Sequence, residues 1–107
     1  MVVSRFDVIW VALDPAVGME IQKTRPCVVI SPDEMNHARL GMVIVAPLTS
    51  VLRSFPTRVR VECEGKAGDV ALDQIRAIDR SRILSKMTSL DVESGYTILQ
   101  VLQEMFA

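Results

Sequence analysis

Side chains able to bind and cleave a phosphodiester fall in three short segments of this 107-residue chain. The first segment, residues 18–26, contains Glu20, Lys23 and Arg25 and ends at Pro26. Proline fixes its own φ and has no backbone donor, so Arg25 should lie at a rigid entrance to the apolar strand that follows. A guanidinium held there can bind a pair of phosphate oxygens. An arginine in such a loop is more often a surface ion-pair partner, so the other segments must decide between these roles.

The second segment consists of Thr49 and Ser50, which follow an apolar run. Phosphodiester cleavage without a metal needs a base, an acid and donors for the charge that grows on phosphorus. RNA supplies its own nucleophile, the 2′-hydroxyl. In this scheme Arg25 is the best donor, and the two hydroxyls could bind phosphate or Arg25, although such pairs more often cap turns. Glu20 could orient Arg25 or accept a proton, but an exposed loop carboxylate is usually only solvated.

The third segment places Asp73, Gln74 and Arg76 in an otherwise apolar run. A buried aspartate or glutamine is costly without partners, so this pair should serve a polar network, a dimer contact or a ligand. Arg76 lies two positions after Gln74 and would share its face of a strand. The one histidine, His37, falls in an expected turn and is better explained as an exposed loop residue than as a catalyst.

Charge is distributed unevenly in a chain whose formal net charge is only −1. Residues 35–61 contain no Asp or Glu, yet they include His37, Arg39, Arg53, Arg58 and Arg60. One surface could therefore be positive enough to bind a polyanion. A strand edge protected by charge would produce the same pattern.

Composition narrows the class of protein further. Half of the residues are apolar, and the length suits one domain over residues 1–107. With no signal sequence and no apolar run long enough for a bilayer, we expect a cytoplasmic protein without a membrane partner. Cys27 and Cys63 should be free thiols. No metal-ligand spacing, glycine-rich phosphate loop or nucleophile elbow occurs, so neither a metal nor another cofactor is expected.

The elements that must position these residues are mostly strands. A short helical turn near Asn36 should begin at a capping box with Ser31 as N-cap, and Pro47 should end the strand before it. From Thr88 onward the pattern is helical, and Thr88 with Asp91 could cap the start of the helix. One apolar face would comprise Val92, Tyr96, Leu99, Leu102 and Phe106. The chain should thus form a small, mostly antiparallel barrel with a terminal helix. The strands are predicted at residues 7–13, 26–30, 42–46, 57–62 and 70–78. Polar and apolar residues alternate over 57–62, so Arg58 and Arg60 should point outward together.

Four blocks in this order resemble the MazF/PemK family of toxins. The resemblance implies a CcdB/PemK-like fold, an SH3-like β-barrel that forms a homodimer. It also implies a metal-independent, sequence-specific endoribonuclease that cuts single-stranded RNA, inhibits translation and growth, and is silenced by a MazE-like antitoxin. The blocks are GMEIQKTRP at residues 18–26, VVISP at 28–32, PLTS at 47–50 and ALDQIRAID at 71–79.

The resemblance also assigns roles to residues. Arg25 matches the family's catalytic arginine and Thr49 its catalytic hydroxyl, while Glu20 and Gln74 match residues that line the RNA groove. Asp73 looks like the aspartate that some members use as a base, but Ala71 and Met19 stand where those members have an arginine and a histidine. The remaining residues expected to bind RNA or support the site are Lys23, Ser50 and Arg76.

Two alternatives lie in a different functional class. A CcdB-like protein poisons DNA gyrase without catalysis and ends in Trp-Gly-Ile, whereas this sequence ends in Glu-Met-Phe-Ala. A decayed toxin that only binds an antitoxin would need just one displaced side chain. The presence of both Arg25 and Thr49 favours the nuclease.

Overall fold

A computed structural model of the chain describes residues 2–15, 17–21, 23–39 and 41–107. Its elements are β1 (Asp7–Ala12), β2 (Thr24–Val29), α1 (Asp33–Asn36), β3 (Met42–Thr49), β4 (Arg58–Cys63), β5 (Lys66–Ala71), β6 (Arg76–Asp79), β7 (Ile83–Ser89) and α2 (Val92–Phe106). The seven strands form one sheet in the order β4-β5-β3-β2-β1-β7, and β6 also pairs with β3. Every pairing is antiparallel, so the predicted mostly antiparallel fold is confirmed.

The central strands are buried on both faces of this curled sheet. Adjacent residues in β1 and β2, such as Val8 with Ile9 and Val28 with Val29, belong to two different core clusters and are all fully buried. Neighbouring side chains on a strand point to opposite faces, which is why apolar runs replace alternation here. Cys27 lies in one of these clusters, and burial raises the pKa of its thiol to about 12 against the opposing charge of Arg76.

Both cysteines are free thiols, as predicted.

The predicted capping box at Ser31 is wrong. Helix α1 begins after Pro32, and no side chain caps it. Ser31 is buried; its hydroxyl donates to the side-chain oxygen of Asn36 and accepts a bond from the backbone N–H of Ile44 at 3.0 Å. This hydroxyl therefore bonds to Asn36 and to β3 instead of capping the helix.

Strand β3 continues through Pro47 to Thr49, so the prediction that Pro47 ends it is wrong. The ladder between β3 and β6 ends at Val45, and the ladder between β3 and β5 begins at Leu48. Pro47 lies between the two ladders, so its missing N–H removes no hydrogen bond from either. As a consequence, Thr49 is held within the sheet as the last residue of β3.

The single strand predicted over residues 70–78 is also wrong. Leu48 pairs with Val70, whereas Val45 pairs with Arg76. In an unbroken antiparallel register Val45 would face Asp73, so the intervening chain is too long to stay in the ladder and loops out. It forms a 3-10 turn at Leu72–Gln74. The expectation that Arg76 shares a strand face with Gln74 fails for the same reason, because the two residues lie in different elements.

Helix α2 begins later than predicted and buries a different face. Thr88 lies in β7, a strand that the sequence pattern did not reveal, and Asp91 caps the helix by accepting a bond from the N–H of Ser94 at 3.1 Å. The buried helix residues are Gly95 and Ile98. The side chains expected to face inward are largely outside, since Val92, Tyr96 and Phe106 are 72%, 70% and 71% exposed.

Close packing explains the choice of helix face. A Cβ on Gly95 would lie 2.7 Å from the ring of Phe6, so only glycine permits this approach between α2 and the N-terminal segment. Within the described ranges, no helix is long and apolar enough to cross a membrane.

Candidate nucleic-acid interface

Two of the three segments identified in the sequence meet in one surface groove. Arg25 is the second residue of β2, opposite Val11 of β1, and Thr49 ends β3. Both line a groove of about 410 Å³ that is bordered by the β1–β2 loop and the β3–β4 loop. We call this space the Arg25 groove. The cations that line it are Lys23, Arg25, Arg53 and Arg58, against one described lining carboxylate, Glu20.

The stretch without acidic residues is therefore only partly responsible for this positive surface. Arg53 and Arg58 line the Arg25 groove. Arg60 instead forms an ion pair with the buried Asp69 at 2.6 Å. Asp69 also accepts a bond from the backbone N–H of Arg53 at 2.6 Å, which anchors the β3–β4 loop to β5.

Thr49 is almost completely buried, and its hydroxyl has a defined orientation. Its Oγ1 accepts a hydrogen bond from the backbone N–H of Val51 at 3.1 Å. Because that bond uses a lone pair of the oxygen, the hydroxyl proton is left to donate to a ligand in the groove. Ser50 is exposed and lines a different cavity of about 350 Å³, which Thr49 also lines, and it does not line the Arg25 groove.

The β1–β2 loop is shaped by contacts among its own residues. The side chain of Glu20 accepts a bond from the N–H of Val17 at 2.6 Å. Lys23 has a φ of 68° and donates its backbone N–H to Asp14 at 2.9 Å. A positive φ is uncommon for lysine and persists only where surrounding contacts hold it. Glu20 and Lys23 of this loop both line the Arg25 groove.

Gln74 and Arg76 of the third segment form hydrogen bonds to the backbone of the β1–β2 loop and of the residue after β1. The side-chain oxygen of Gln74 accepts a bond from the N–H of Ile21 at 2.7 Å, and Nη1 of Arg76 donates to the carbonyl of Leu13 at 3.2 Å. Asp73, Gln74 and Arg76 line an adjacent cavity of about 340 Å³. They do not line the Arg25 groove itself. Met19, Glu20 and Ile21 border both spaces, so the loop separates them.

Asp73 is bound by an arginine that was not among the predicted site residues. Nε of Arg58 lies 2.7 Å from one oxygen of Asp73, and Nη2 lies 3.1 Å from the other. Partial burial would raise the pKa of Asp73, but the hydrogen bonds and charge of Arg58, together with donors from the Asp73 backbone and Thr57, outweigh it and hold the pKa below its usual value. The alternating pattern of residues 57–62 placed Arg58 on an outward face, but it could not reveal this partner across the 3-10 turn.

His37 lies in the turn after α1, as predicted, and its Nε2 is 3.1 Å from the carbonyl oxygen of Val3. It does not line the groove. Within the described part of the chain, no three His, Cys, Asp or Glu side chains are grouped so that they could hold a metal ion.

Comparison with known proteins identifies the family. A family model described as "PemK-like, MazF-like toxin of type II toxin-antitoxin system" matches residues 4–106. The chain belongs to this family. The resemblance recognised in the four sequence blocks is thereby confirmed.

Individual MazF-like relatives agree in sequence and in fold. The chain is 33% identical to "Endoribonuclease EndoA" of Bacillus subtilis, over 96% of this chain and 93% of that protein. MazF from Deinococcus radiodurans is 25% identical in sequence, with a TM-score of 0.87 over 99% of this chain and 97% of the other. A MazE-MazF structure from the same organism has 25% identity and a TM-score of 0.81, over 99% and 96% of the two chains.

Proposed function

We propose that this chain is a sequence-specific endoribonuclease that cuts single-stranded RNA without a metal ion or another cofactor. As a member of the MazF-like family whose relatives are named endoribonucleases, it is an endoribonuclease toxin of a type II toxin-antitoxin system. The observation that carries the finer proposal is the placement of Arg25 and Thr49 in one groove lined by cations. Two donors that face a positive groove suit a polyanion whose phosphorus gains charge during cleavage.

In the proposed reaction the 2′-hydroxyl of RNA attacks the adjacent phosphorus. The bond between phosphorus and the 5′ oxygen breaks, which leaves a 2′,3′-cyclic phosphate and a 5′-hydroxyl. The proton of the 2′-hydroxyl passes to a base, and the leaving oxygen gains a proton. Arg25 donates to the non-bridging oxygens as negative charge develops, and the Thr49 hydroxyl donates a further hydrogen bond. Lys23 and Arg53 attract the flanking phosphates.

Asp73 is a poor candidate for the base in this reaction. Its two oxygens face Arg58, and hydrogen bonds from several donors together with the Arg58 charge hold its pKa below the usual range despite partial burial. A carboxylate stabilised in its charged form has little tendency to accept a proton near neutral pH. We assign Asp73 to the positioning of Arg58, and we assign Gln74 and Arg76 to the support of the loop that carries Glu20.

The test is incubation of the purified chain with a mixed-sequence single-stranded RNA in excess EDTA. We expect cleavage at a short shared sequence, with a cyclic phosphate on one fragment and a 5′-hydroxyl on the other, because the proposed groups need no metal. Both ends are identified chemically. Intact RNA in the presence of folded protein would contradict the proposal and favour a binding role, such as gyrase poisoning or antitoxin capture.

The chain has an antitoxin as a partner, as a type II toxin does, and we propose that this antitoxin is MazE-like. The similar Deinococcus radiodurans protein forms a MazE-MazF complex, which supports the proposal. An acidic, disordered antitoxin tail would lie across the Arg25 groove, where Arg53 offers complementary charge and Arg58 offers further hydrogen-bond donors. Arg76 is placed in the adjacent cavity, so it would contribute only if the tail reached past the loop.

We also propose that the chain forms a homodimer. The outer face of α2 exposes Val92, Tyr96 and Phe106 at helical spacing, and apolar side chains grouped on one face mark an interaction surface more often than scattered ones do. Light scattering at micromolar concentration should report twice the mass of one chain. A monomer under those conditions would contradict this expectation.

A further inference from the structure

The Arg58 side chain is held in one orientation by the residues around it. Its side chain is only 9% exposed, and it forms a two-point contact with Asp73 across the 3-10 turn. The hydroxyl of Thr57 donates to Asp73 at 3.2 Å. The ring of Phe55 lies 5.3 Å from the centre of the guanidinium. Three neighbours therefore fix the plane of this arginine at the wall of the Arg25 groove.

One edge of the guanidinium remains open to that groove. An arginine has five N–H donors, and Asp73 takes one on Nε and one on Nη2. In the part of the chain that the structure describes, Nη1 has no hydrogen-bond partner. Every buried side-chain nitrogen there does have a partner, so Nη1 is not among the buried atoms. Nη1 must therefore reach open space, and the groove is the space that Arg58 lines. The Nη1–Nη2 edge presents parallel donors to whatever binds there.

Charge compensation argues against a phosphate at this position. The Asp73 carboxylate, 2.7 Å from Nε, cancels the charge of Arg58 locally. Across the described residues, neither Lys23 nor Arg53 has a side-chain ion pair, so those cations attract phosphate more strongly. Arg58 instead combines fixed geometry, a donor edge without a protein partner at the groove wall and an adjacent aromatic ring, Phe55, that is 49% exposed. These are properties of a site that reads a nucleobase.

We propose that Arg58, oriented by Asp73 and Phe55, reads one base of the RNA and thereby helps to determine the cleavage sequence. A guanidinium edge matches the adjacent O6 and N7 acceptors of guanine, so the expected base is guanine. The single-stranded substrate leaves that edge of the base accessible. This inference rests on the proposed nuclease function and adds a specificity-determining residue to it.

The experiment compares wild type with Arg58→Gln and Arg58→Lys on a single-stranded RNA pool randomised at every position near the cut. Relative kcat/KM is obtained for each base at each position by sequencing the fragment ends. We expect wild type to prefer guanine at one position, and both variants to lose that preference by roughly tenfold to a hundredfold. The lysine variant keeps the charge but loses the two-point geometry, so it separates base reading from phosphate attraction.

Arg60→Gln is the matched control. Arg60 lies on the same strand, forms an ion pair of the same kind with Asp69, and does not line the groove. It should retain the base preference of wild type. Thermal melting of each protein checks the fold, and the lysine variant keeps the test valid if Arg58→Gln does not fold.

A substrate change tests the assigned atom directly. Replacing the preferred guanine by 7-deazaguanine removes the N7 acceptor, which should slow wild type but leave Arg58→Gln unaffected. Unchanged base preference in the folded Arg58 variants, a uniform loss on all sequences, or a preference for another base would overturn the inference while the nuclease function stands. If wild type cleaves no RNA, both the proposed function and this inference fail.

Discussion

Arg25→Ala should lower the rate of RNA cleavage by roughly a hundredfold or more, the cost typical of removing one transition-state donor. Arg25 is exposed at the start of β2, so its truncation opens no cavity in the core and should leave the fold intact. The effect should fall mainly on kcat, because charge on the phosphate oxygens grows after binding. Single-turnover cleavage of one defined single-stranded RNA measures the rate of the chemical step, and a melting curve for each protein checks that the fold is intact.

Two further variants control this experiment. Arg25→Lys keeps the positive charge but cannot donate two parallel hydrogen bonds, so it should recover only part of the lost rate. Arg39→Ala removes an exposed arginine that does not line the groove and should cleave as wild type does. Cleavage close to the wild-type rate by folded Arg25→Ala would exclude Arg25 from the mechanism.

Thr49→Val should reduce kcat by about a hundredfold with little change in KM. Valine keeps the shape of threonine at this nearly buried position but removes the hydroxyl that is expected to stabilise the developing charge. RNA affinity depends chiefly on contacts between cations and phosphates, which this substitution leaves in place. Steady-state kinetics over a range of RNA concentrations separates the two parameters.

The neighbouring hydroxyls provide the controls for Thr49. Thr49→Ser restores the oxygen that accepts from the N–H of Val51, so it should recover most of the activity. Ser50→Ala removes a hydroxyl that does not line the Arg25 groove and should have little effect. Wild-type activity of folded Thr49→Val would show that the hydroxyl takes no part in the reaction.

The sequence alone determined the features that depend on nearby residues. Pro26 marks the second strand, which the structure extends back through Arg25 to Thr24; the alternation around Arg58 identifies a half-exposed strand, and Asp91 is recognisable as a helix cap. Each of these follows from backbone preferences or side-chain spacing within a few positions. The four spaced blocks added the family, and with it the expected roles of Arg25 and Thr49.

The structure alone decided what depends on contacts between distant segments. The 3-10 turn at Leu72–Gln74 exists because β5 and β6 both pair with β3 and the connecting chain is too long for one register. That turn brings Asp73 to Arg58 and Gln74 to the loop at Ile21. No local pattern encodes these distances.

Strand β7 and helix α2 likewise depend on contacts between distant segments. Strand β7 has little apolar alternation of its own and forms because β1 offers it a ladder. The buried face of α2 is set by the close approach of Gly95 to Phe6 rather than by the largest apolar side chains. Local sequence thus determined which residues could do chemistry and where most strands begin, whereas strand pairing and packing across the sheet decided which of those residues meet, because such contacts depend on the whole chain.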